Sequence, residues 1–178
     1  MSSLLKKMCA AVCSVLCLAS CAGLDVTAYR DEKPALDLRQ YFNGKIDAWG
    51  MFQDRSGKVI KRFHVVIDAR WQGDKGTLDE RFSYSDGSTQ QRIWTLVRQP
   101  DGNYIGTAAD VVGEARGELS GNALRWRYVM ALPVDGKVYN VDFDDWMYLM
   151  DDKIMLNRSV MSKFGVRLGE VTLSFSKP

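Results

Sequence analysis

The sequence predicts an all-β fold, an antiparallel up-and-down meander that closes into a barrel after a short N-terminal helical segment. Beyond Gly44, turn signals such as Asp86-Gly87 and Asp135-Gly136 recur every 13 to 20 residues. Between these turns apolar and polar residues alternate, which is typical of strands with one buried face. No stretch between turns is long enough for the helical crossover that parallel strands need. Closure into a barrel then removes the exposed edges of the sheet.

The chain begins with a segment built like a bacterial lipoprotein signal. Lys6 and Lys7 form a positive start, residues 8–18 are mainly apolar, and Leu18-Ala19-Ser20-Cys21 closes the segment. The apolar run is too short to span a bilayer permanently. We therefore expect residues 1–20 to be removed as a signal peptide and Cys21 to carry the lipid. The alternative is an ordinary secretory signal in which Cys21 is incidental.

Lipidation of Cys21 predicts where the protein resides. The acylated N-terminus is its contact with a membrane, and Ala22 follows the cysteine where an aspartate would favour retention in the inner membrane. We expect a lipid-anchored protein on the periplasmic face of the bacterial outer membrane.

Removal of the signal peptide also limits which reactive and metal-binding side chains the mature chain contains. Cys9, Cys13 and Cys17 leave with the signal and Cys21 is consumed by the lipid, so no disulfide, cysteine-ligated metal or cysteine nucleophile is expected. His64 is the only histidine, which excludes a histidine-rich metal site. The full chain has 24 basic and 22 acidic residues. Without Lys6 and Lys7 it has 22 of each, so the mature protein is close to neutral. We expect no cofactor and no nucleic-acid partner.

The mature chain is predicted to hold a tether and a single domain. Residues 21–35 contain no sustained apolar period and are expected to form a flexible tether with a reach of roughly 20 Å. Residues 36–178 form the β-barrel domain. Leu38 and Tyr41 lie in a stretch that fits one or two helical turns, and Asn43-Gly44 ends it.

The strands follow from rows of apolar residues with a period of two. The rows are Val59, Phe63, Val65, Ile67, Ala69 and Trp71, interrupted by Lys61; Leu124, Trp126, Tyr128, Met130 and Leu132; Tyr139, Val141, Phe143, Met147 and Leu149; and Val171, Leu173 and Phe175. Nine or ten such strands around one core favour a closed barrel, and a two-sheet sandwich is the alternative.

Several local patterns resemble one known family. They are Tyr41-Phe42-Asn43-Gly44, Trp49-Gly50-Met51-Phe52-Gln53-Asp54-Arg55, Tyr84-Ser85-Asp86-Gly87, Gly113-Glu114-Ala115, Phe143-Asp144-Asp145-Trp146-Met147-Tyr148-Leu149, Asn157-Arg158 and Met161-Ser162-Lys163-Phe164-Gly165. They resemble the DUF3833 family of proteobacterial lipoproteins from about Leu36 to Pro178. The resemblance implies a lipocalin-like (calycin-type) barrel and a lipid-related role, and it supplies no catalytic residues because the family is uncharacterised.

The candidate ligand site combines arginines with aromatic residues. Inside a lumen, arginine would hold a carboxylate or phosphate while tryptophan and tyrosine contact an apolar tail. The candidate side chains are Arg92, Trp94, Arg125, Trp126, Arg127, Tyr128, Asp145, Trp146, Tyr148 and Arg158. The alternative is that the arginines face water and the aromatic residues pack the core, since half of the residues on a barrel strand point outward.

The acidic residues give no specific motif. The aspartates around Trp146 lack the spacing of a calcium loop and fit a solvated strand face plus a turn, with an acidic residue paired to an interior arginine as the next possibility. His64 is interpreted as an exposed strand residue. Asp79-Glu80, Glu114 and Glu118 would serve hydrolysis only if folding brought two of them together.

Three functions are therefore weighed. The first is a lipid-anchored envelope protein that binds or carries a small amphipathic or fatty ligand. The second is a structural or interaction lipoprotein with a filled barrel core. The third is an enzyme that uses carboxylates and arginines. An apolar lumen favours the first and a filled core the second, whereas converging polar groups in a cleft favour the third. The sequence indicates no particular protein partner.

Overall fold

The computed structural model describes residues 23–178 and places ten antiparallel strands in one closed barrel. The strands are β1 (Gly44–Asp54), β2 (Val59–Gln72), β3 (Lys75–Tyr84), β4 (Thr89–Arg98), β5 (Tyr104–Thr107), β6 (Ala115–Ser120), β7 (Ala123–Val134), β8 (Lys137–Leu149), β9 (Ile154–Lys163) and β10 (Val166–Ser176). Each strand pairs with its neighbours in sequence, and β1 pairs with β10 to close the barrel. The predicted up-and-down barrel is confirmed. The predicted signal peptide, Cys21 and Ala22 lie outside the described residues.

The period of two divides each strand between lumen and solvent. On β7, Leu124, Trp126 and Met130 are buried, whereas Arg127 is exposed. In the predicted row on β8, Val141, Phe143 and Leu149 are buried, whereas Tyr139 is exposed. The predicted rows therefore face the interior along most of their length, as strands with one buried face require. The exceptions are Val59 and Tyr139, which are exposed near the starts of β2 and β8.

A short helix closes one end of the barrel. This helix, α1 (Leu38–Tyr41), begins after Asp37, whose carboxylate accepts a hydrogen bond from the Arg39 backbone N–H at 2.9 Å. The indole Nε1 of Trp71 donates to the Phe42 carbonyl at 2.7 Å, and the Tyr41 hydroxyl donates to the Lys153 carbonyl at 2.9 Å. These bonds hold the helix across the barrel end. Gly44 then enters β1 with φ of +88°, a conformation that glycine adopts without steric cost.

The segment that we expected to be a flexible tether packs against the barrel over much of its described part. A 3₁₀ helix at Val26–Tyr29 lies on β6 and β7, and the Tyr29 ring centroid is 5.2 Å from that of Tyr148. The Leu36 N–H donates to the Gly121 carbonyl at 2.8 Å. A Cβ at Gly121 would collide with the Tyr29 carbonyl, so a glycine there lets the segment approach. Burial of Val26 and the aromatic contacts stabilise this docking, which a periodicity argument does not detect.

The two ends of the barrel differ. The closed end carries α1 and the β2–β3, β4–β5, β6–β7 and β8–β9 turns. The opposite end, which we call the mouth, carries the β1–β2, β3–β4, β7–β8 and β9–β10 hairpins and residues 108–114 between β5 and β6. Within residues 23–178, no helix has the length and apolar character needed to cross a bilayer.

Candidate functional site

The barrel encloses a cavity of about 1070 Å³. It begins at the helix of the closed end, where Leu38 and Phe42 form its floor, and it extends to mouth residues such as Phe52 and Val138. This volume is at the upper end of the range for pockets that hold small molecules. The lumen is therefore large enough for a ligand.

Most of the cavity wall is apolar. Near the closed end it is formed by buried side chains that include Val65, Ile67, Leu78, Leu96 and Trp126. The Trp94 ring packs edge-on against Trp126, with 5.7 Å between centroids. Nearer the mouth the wall is formed by Met130, Phe143 and Met161, which pack in a second apolar cluster. These surfaces favour an apolar guest because it would cover area that water solvates poorly.

An ion cluster around Arg92 interrupts the apolar wall. Glu80 on β3 stands directly opposite Arg92 on β4 in the strand register. The Arg92 Nε donates to Asp110 Oδ2 at 2.9 Å and its Nη2 lies 2.8 Å from the same oxygen, while Glu80 Oε2 is 3.8 Å from Arg92 Nη1. Arg92 also rests over the Phe82 ring, 5.4 Å from its centroid. The guanidinium is thus neutralised by two carboxylates of the protein itself.

A second polar group surrounds Asp145. This side chain is buried, with 6 % of its surface exposed, and it accepts hydrogen bonds from the Ser159 and Tyr128 hydroxyls. The distance between the Tyr128 oxygen and Asp145 Oδ2 is 3.3 Å. Buried Asn157 also lines the cavity, and its amide donates to the Trp146 carbonyl.

Burial dominates the titration of these groups. Loss of solvent raises the pKa of Glu80 to about 7, and the Arg92 charge opposes this rise. Burial likewise raises the pKa of Asp145 to about 7, against the hydrogen bonds from Ser159 and Tyr128. The pKa of the Tyr128 hydroxyl is raised for the same reason. For Arg92, burial alone would lower the pKa, but the Asp110 hydrogen bond and the Glu80 charge raise it. Near neutral pH the lumen therefore holds two carboxyls poised to gain or lose a proton.

Five of the ten candidate side chains predicted from the sequence line this cavity. They are Arg92, Trp94, Trp126, Tyr128 and Asp145. The hypothesis of an acidic residue paired to an interior arginine also fits the lumen, but Arg92 takes Asp110 and Glu80 as its partners.

The other five lie on the outer wall, which corrects their prediction as lumen residues. Arg125 donates to Asp144 at 2.8 and 2.7 Å, Arg127 pairs with Glu118, and Arg158 donates to Glu170 at 2.7 Å. The Trp146 and Tyr148 rings stack on one another beneath Tyr29. Each of these five residues is next in sequence to a residue that faces the lumen, so the alternation along the strand turns its own side chain outward.

Sequence reasoning missed several members of the site. Glu80 interrupts the inward row of Leu78 and Phe82 on β3, and this break in an apolar row is the signal that marks it as a lumen residue. Ser159 and Asn157 share the corresponding row on β9. Asp110 lies between strands, so no periodicity identifies it.

The other candidates do not form a reaction centre. Glu118 and Glu114 pair with Arg127 and Arg116 on the outer wall, apart from Glu80. His64 is partly exposed on that wall, and its Nε2 is 2.8 Å from Asp47 Oδ1. Among residues 23–178, no group of three or more histidine, cysteine, aspartate or glutamate side chains is arranged to hold a metal ion.

Comparisons with known proteins identify a family and a fold. The model of a family described as "Protein of unknown function (DUF3833)" matches residues 15–177. No curated protein matches the chain. Among solved structures, the S-type phycobiliprotein lyase CPES from Guillardia theta is similar, with a TM-score of 0.55 and 10 % sequence identity over 80 % of this chain and 93 % of that one. This likeness supports the barrel fold.

Proposed function

The chain belongs to the DUF3833 family, and we propose that it binds and carries a small amphipathic ligand in the lumen of its barrel. The observation that carries this proposal is the cavity of about 1070 Å³, closed at one end by α1 and lined by apolar side chains and by the two polar groups around Arg92 and Asp145. A structural lipoprotein with a filled core needs no such space. The occurrence of a similar barrel in a phycobiliprotein lyase is compatible with a ligand-handling role.

The charges in the lumen define the preferred head group. Three carboxylates line the cavity, those of Glu80, Asp110 and Asp145, and its two cations already have partners. Arg92 is held by Asp110 and Glu80, and Lys61 lies 2.8 Å from Asp86 near the mouth. A ligand carboxylate would add negative charge where no cation remains unpaired, which is costly in a buried site. An amine or another hydrogen-bond donor on the ligand could instead donate to these carboxylates.

The ligand is therefore an amphiphile with a cationic or donor head group and an apolar body. The head group contacts Asp145 and Glu80, and the body extends between Trp94, Trp126 and the floor residue Leu38. The sequence allowed an acidic or a polar head group; the acidic one is replaced here because most of the arginines expected to bind it face solvent.

A matched series of twelve-carbon amphiphiles tests the proposal. We expect dodecylamine to bind saturably at pH 8, to change the fluorescence of Trp94 and Trp126, and to bind about tenfold more tightly than dodecanoate, since a charge-assisted hydrogen bond contributes about 1.5–3 kcal/mol. Asp145→Asn should remove most of this preference. Asp144→Asn is the matched control, because Asp144 is adjacent in sequence but pairs with Arg125 outside the barrel.

Two results would count against this function. Absence of saturable binding for every amphiphile would favour the structural lipoprotein. Tighter binding of dodecanoate than of dodecylamine would retain a carrier but refute the assigned head group.

Acid–base chemistry on a bound ligand is the second candidate function. The observation that favours it is the pair of buried carboxyls, Glu80 and Asp145, whose pKa values of about 7 suit proton transfer near neutral pH. Recovery of a chemically altered ligand from the wild-type protein, with no alteration by Asp145→Asn, would favour an enzyme over a carrier.

We further propose that the protein is anchored through an acylated Cys21 to the periplasmic face of the outer membrane. The Leu18-Ala19-Ser20-Cys21 sequence and Ala22 support this location. Anchoring would keep a carrier close to the lipids from which it takes its ligand.

A further inference from the structure

Exposed apolar side chains are concentrated at the barrel mouth. The hairpin segments 54–60, 134–139 and 163–168, which we call the apolar rim, carry eight of the fifteen exposed large hydrophobic residues in the described chain. These eight are Val59, Ile60, Val134, Val138, Tyr139, Phe164, Val166 and Leu168. The three hairpins are neighbours, because β1 pairs with β10 and β9 pairs with β8. The rim is therefore one continuous side of the mouth.

The tip of the β9–β10 hairpin shows this exposure most strongly. Phe164 has 90 % of its surface exposed and a φ of +51°, a conformation that bulky residues rarely adopt. On the neighbouring hairpin, Val138 is 68 % exposed. Fold stability alone favours a polar residue or glycine at such a tip. The turns at the closed end follow that rule, with Gly73-Asp74, Asp101-Gly102 and Asp151-Asp152 at their tips.

Basic residues accompany the apolar tips. The apolar rim contains five basic residues, Arg55, Lys58, Lys137, Lys163 and Arg167, but only two acidic residues, Asp54 and Asp135. The Lys163 ammonium lies over the Phe164 ring, 4.9 Å from its centroid. Arg55, Lys58 and Lys137 form no ion pair with another side chain of residues 23–178.

We propose that the apolar rim docks on an anionic phospholipid bilayer. Phe164, Val138 and Val59 enter the boundary between head groups and acyl chains, and the neighbouring lysines and arginines contact lipid phosphates. Apolar insertion combined with basic residues is the chemistry of interfacial membrane binding. Lysine suits this position because its stem packs on apolar surface while its ammonium reaches the head groups.

Docking in this orientation brings the cavity mouth to the lipid surface. Phe52, Val134 and Val138 line the outer part of the cavity and belong to or adjoin the rim hairpins. A ligand would then pass between bilayer and lumen without crossing water. The docking itself rests on the rim alone and does not require the proposed ligand.

Hydrogen–deuterium exchange of the full chain on vesicles tests the proposal, because it reports on the rim separately from any attachment at the N-terminus. With vesicles that contain phosphatidylglycerol, we expect amide exchange in residues 134–138 and 163–166 to slow by about tenfold. The closed-end turns at 72–75 and 98–104 should exchange at an unchanged rate. The protection should weaken in high salt, which screens the lysines and arginines.

A matched pair of double variants identifies the responsible side chains. Phe164→Ser with Val138→Ser should abolish the protection of the rim. Trp49→Ser with Ile93→Ser removes two exposed apolar side chains from the outer wall instead and should leave it intact. Thermal unfolding of both variants checks that the barrel persists.

Three results would overturn the proposal. The first is equal exchange at the rim with and without anionic vesicles. The second is equal protection on vesicles of phosphatidylcholine alone, which would remove the role of the basic residues. The third is protection without vesicles that increases with protein concentration, which would assign the rim to contact with a second copy of the chain.

Discussion

Replacing Glu80 by glutamine should stabilise the protein at alkaline pH and have little effect in acid. Glu80 is buried in the lumen wall, and burial raises its pKa to about 7 from an ordinary value of 4.5. Between pH 4.5 and about pH 7, Glu80 keeps its proton in the folded state and loses it in the unfolded chain. The wild-type protein therefore loses stability as the pH rises through this window.

The magnitude follows from the two pKa values. One pH unit corresponds to about 1.4 kcal/mol, so ionisation of Glu80 costs the folded state about 3 kcal/mol by pH 8. Glutamine remains neutral and does not incur this cost. Below pH 4.5 the glutamate is protonated in both states, and the two proteins should differ by less than about 1 kcal/mol.

Urea unfolding of the two proteins at pH 4.5, 6, 7 and 8 measures the difference directly. We expect the free energy of unfolding of Glu80→Gln to exceed that of the wild type by an amount that increases as the pH rises from 4.5 to 8. Glu118→Gln is the control, because Glu118 pairs with Arg127 on the outer wall and its replacement should change stability by no more than about 0.5–1 kcal/mol. The reasoning is refuted if Glu80→Gln lowers stability at pH 8, or if its effect is the same at every pH.

Four further predictions concern the lumen, the outer wall and the anchor. Gly106→Ala should destabilise the barrel by about 1–3 kcal/mol in urea unfolding, because a Cβ there would lie 2.5 Å from the Trp126 ring; an unchanged midpoint would contradict this packing. Arg92→Met should cost about 3 kcal/mol of stability at pH 8 and less at pH 5, where Glu80 is protonated, whereas Arg127→Ala should change stability by no more than about 0.5 kcal/mol and leave ligand binding intact; equal losses would contradict the placement of these two arginines. The affinity for dodecylamine, measured by calorimetry, should rise from pH 6 to pH 8 as the lumen carboxyls ionise, and a flat profile would exclude them as its partners. Cys21→Ser should abolish acyl labelling and release the protein from the outer-membrane fraction, and unchanged fractionation would rule out this anchor.

The architecture was predictable because it depends on a repeated local pattern. The two-residue period of β2, β7 and β8 is set by the pleat and needs no knowledge of distant contacts. The same period also places Glu80 and Asp145 in the lumen, since each stands within a row of inward residues. Applied strictly, it turns Arg125 outward beside Trp126.

Other parts of the site depend on contacts that no local pattern encodes. Asp110 reaches Arg92 from a connection between strands, so its role is visible only in the folded chain. The docking of Tyr29 against Tyr148 joins residues 119 positions apart, and it turns an expected tether into part of the barrel surface. The proposed preference for a cationic or donor head group likewise depends on which charged side chains of the lumen are already paired in the folded chain.

Native mass spectrometry of the protein isolated from the cells that produce it tests the central claim most directly. We expect a complex with one amphiphile that carries an amine or another donor head group and is released on denaturation. The fraction of protein in this complex should fall in Asp145→Asn and stay unchanged in Asp144→Asn. Wild-type protein that appears only at the mass of the bare chain, both before and after incubation with a lipid extract of those cells, would contradict a carrier role for the lumen.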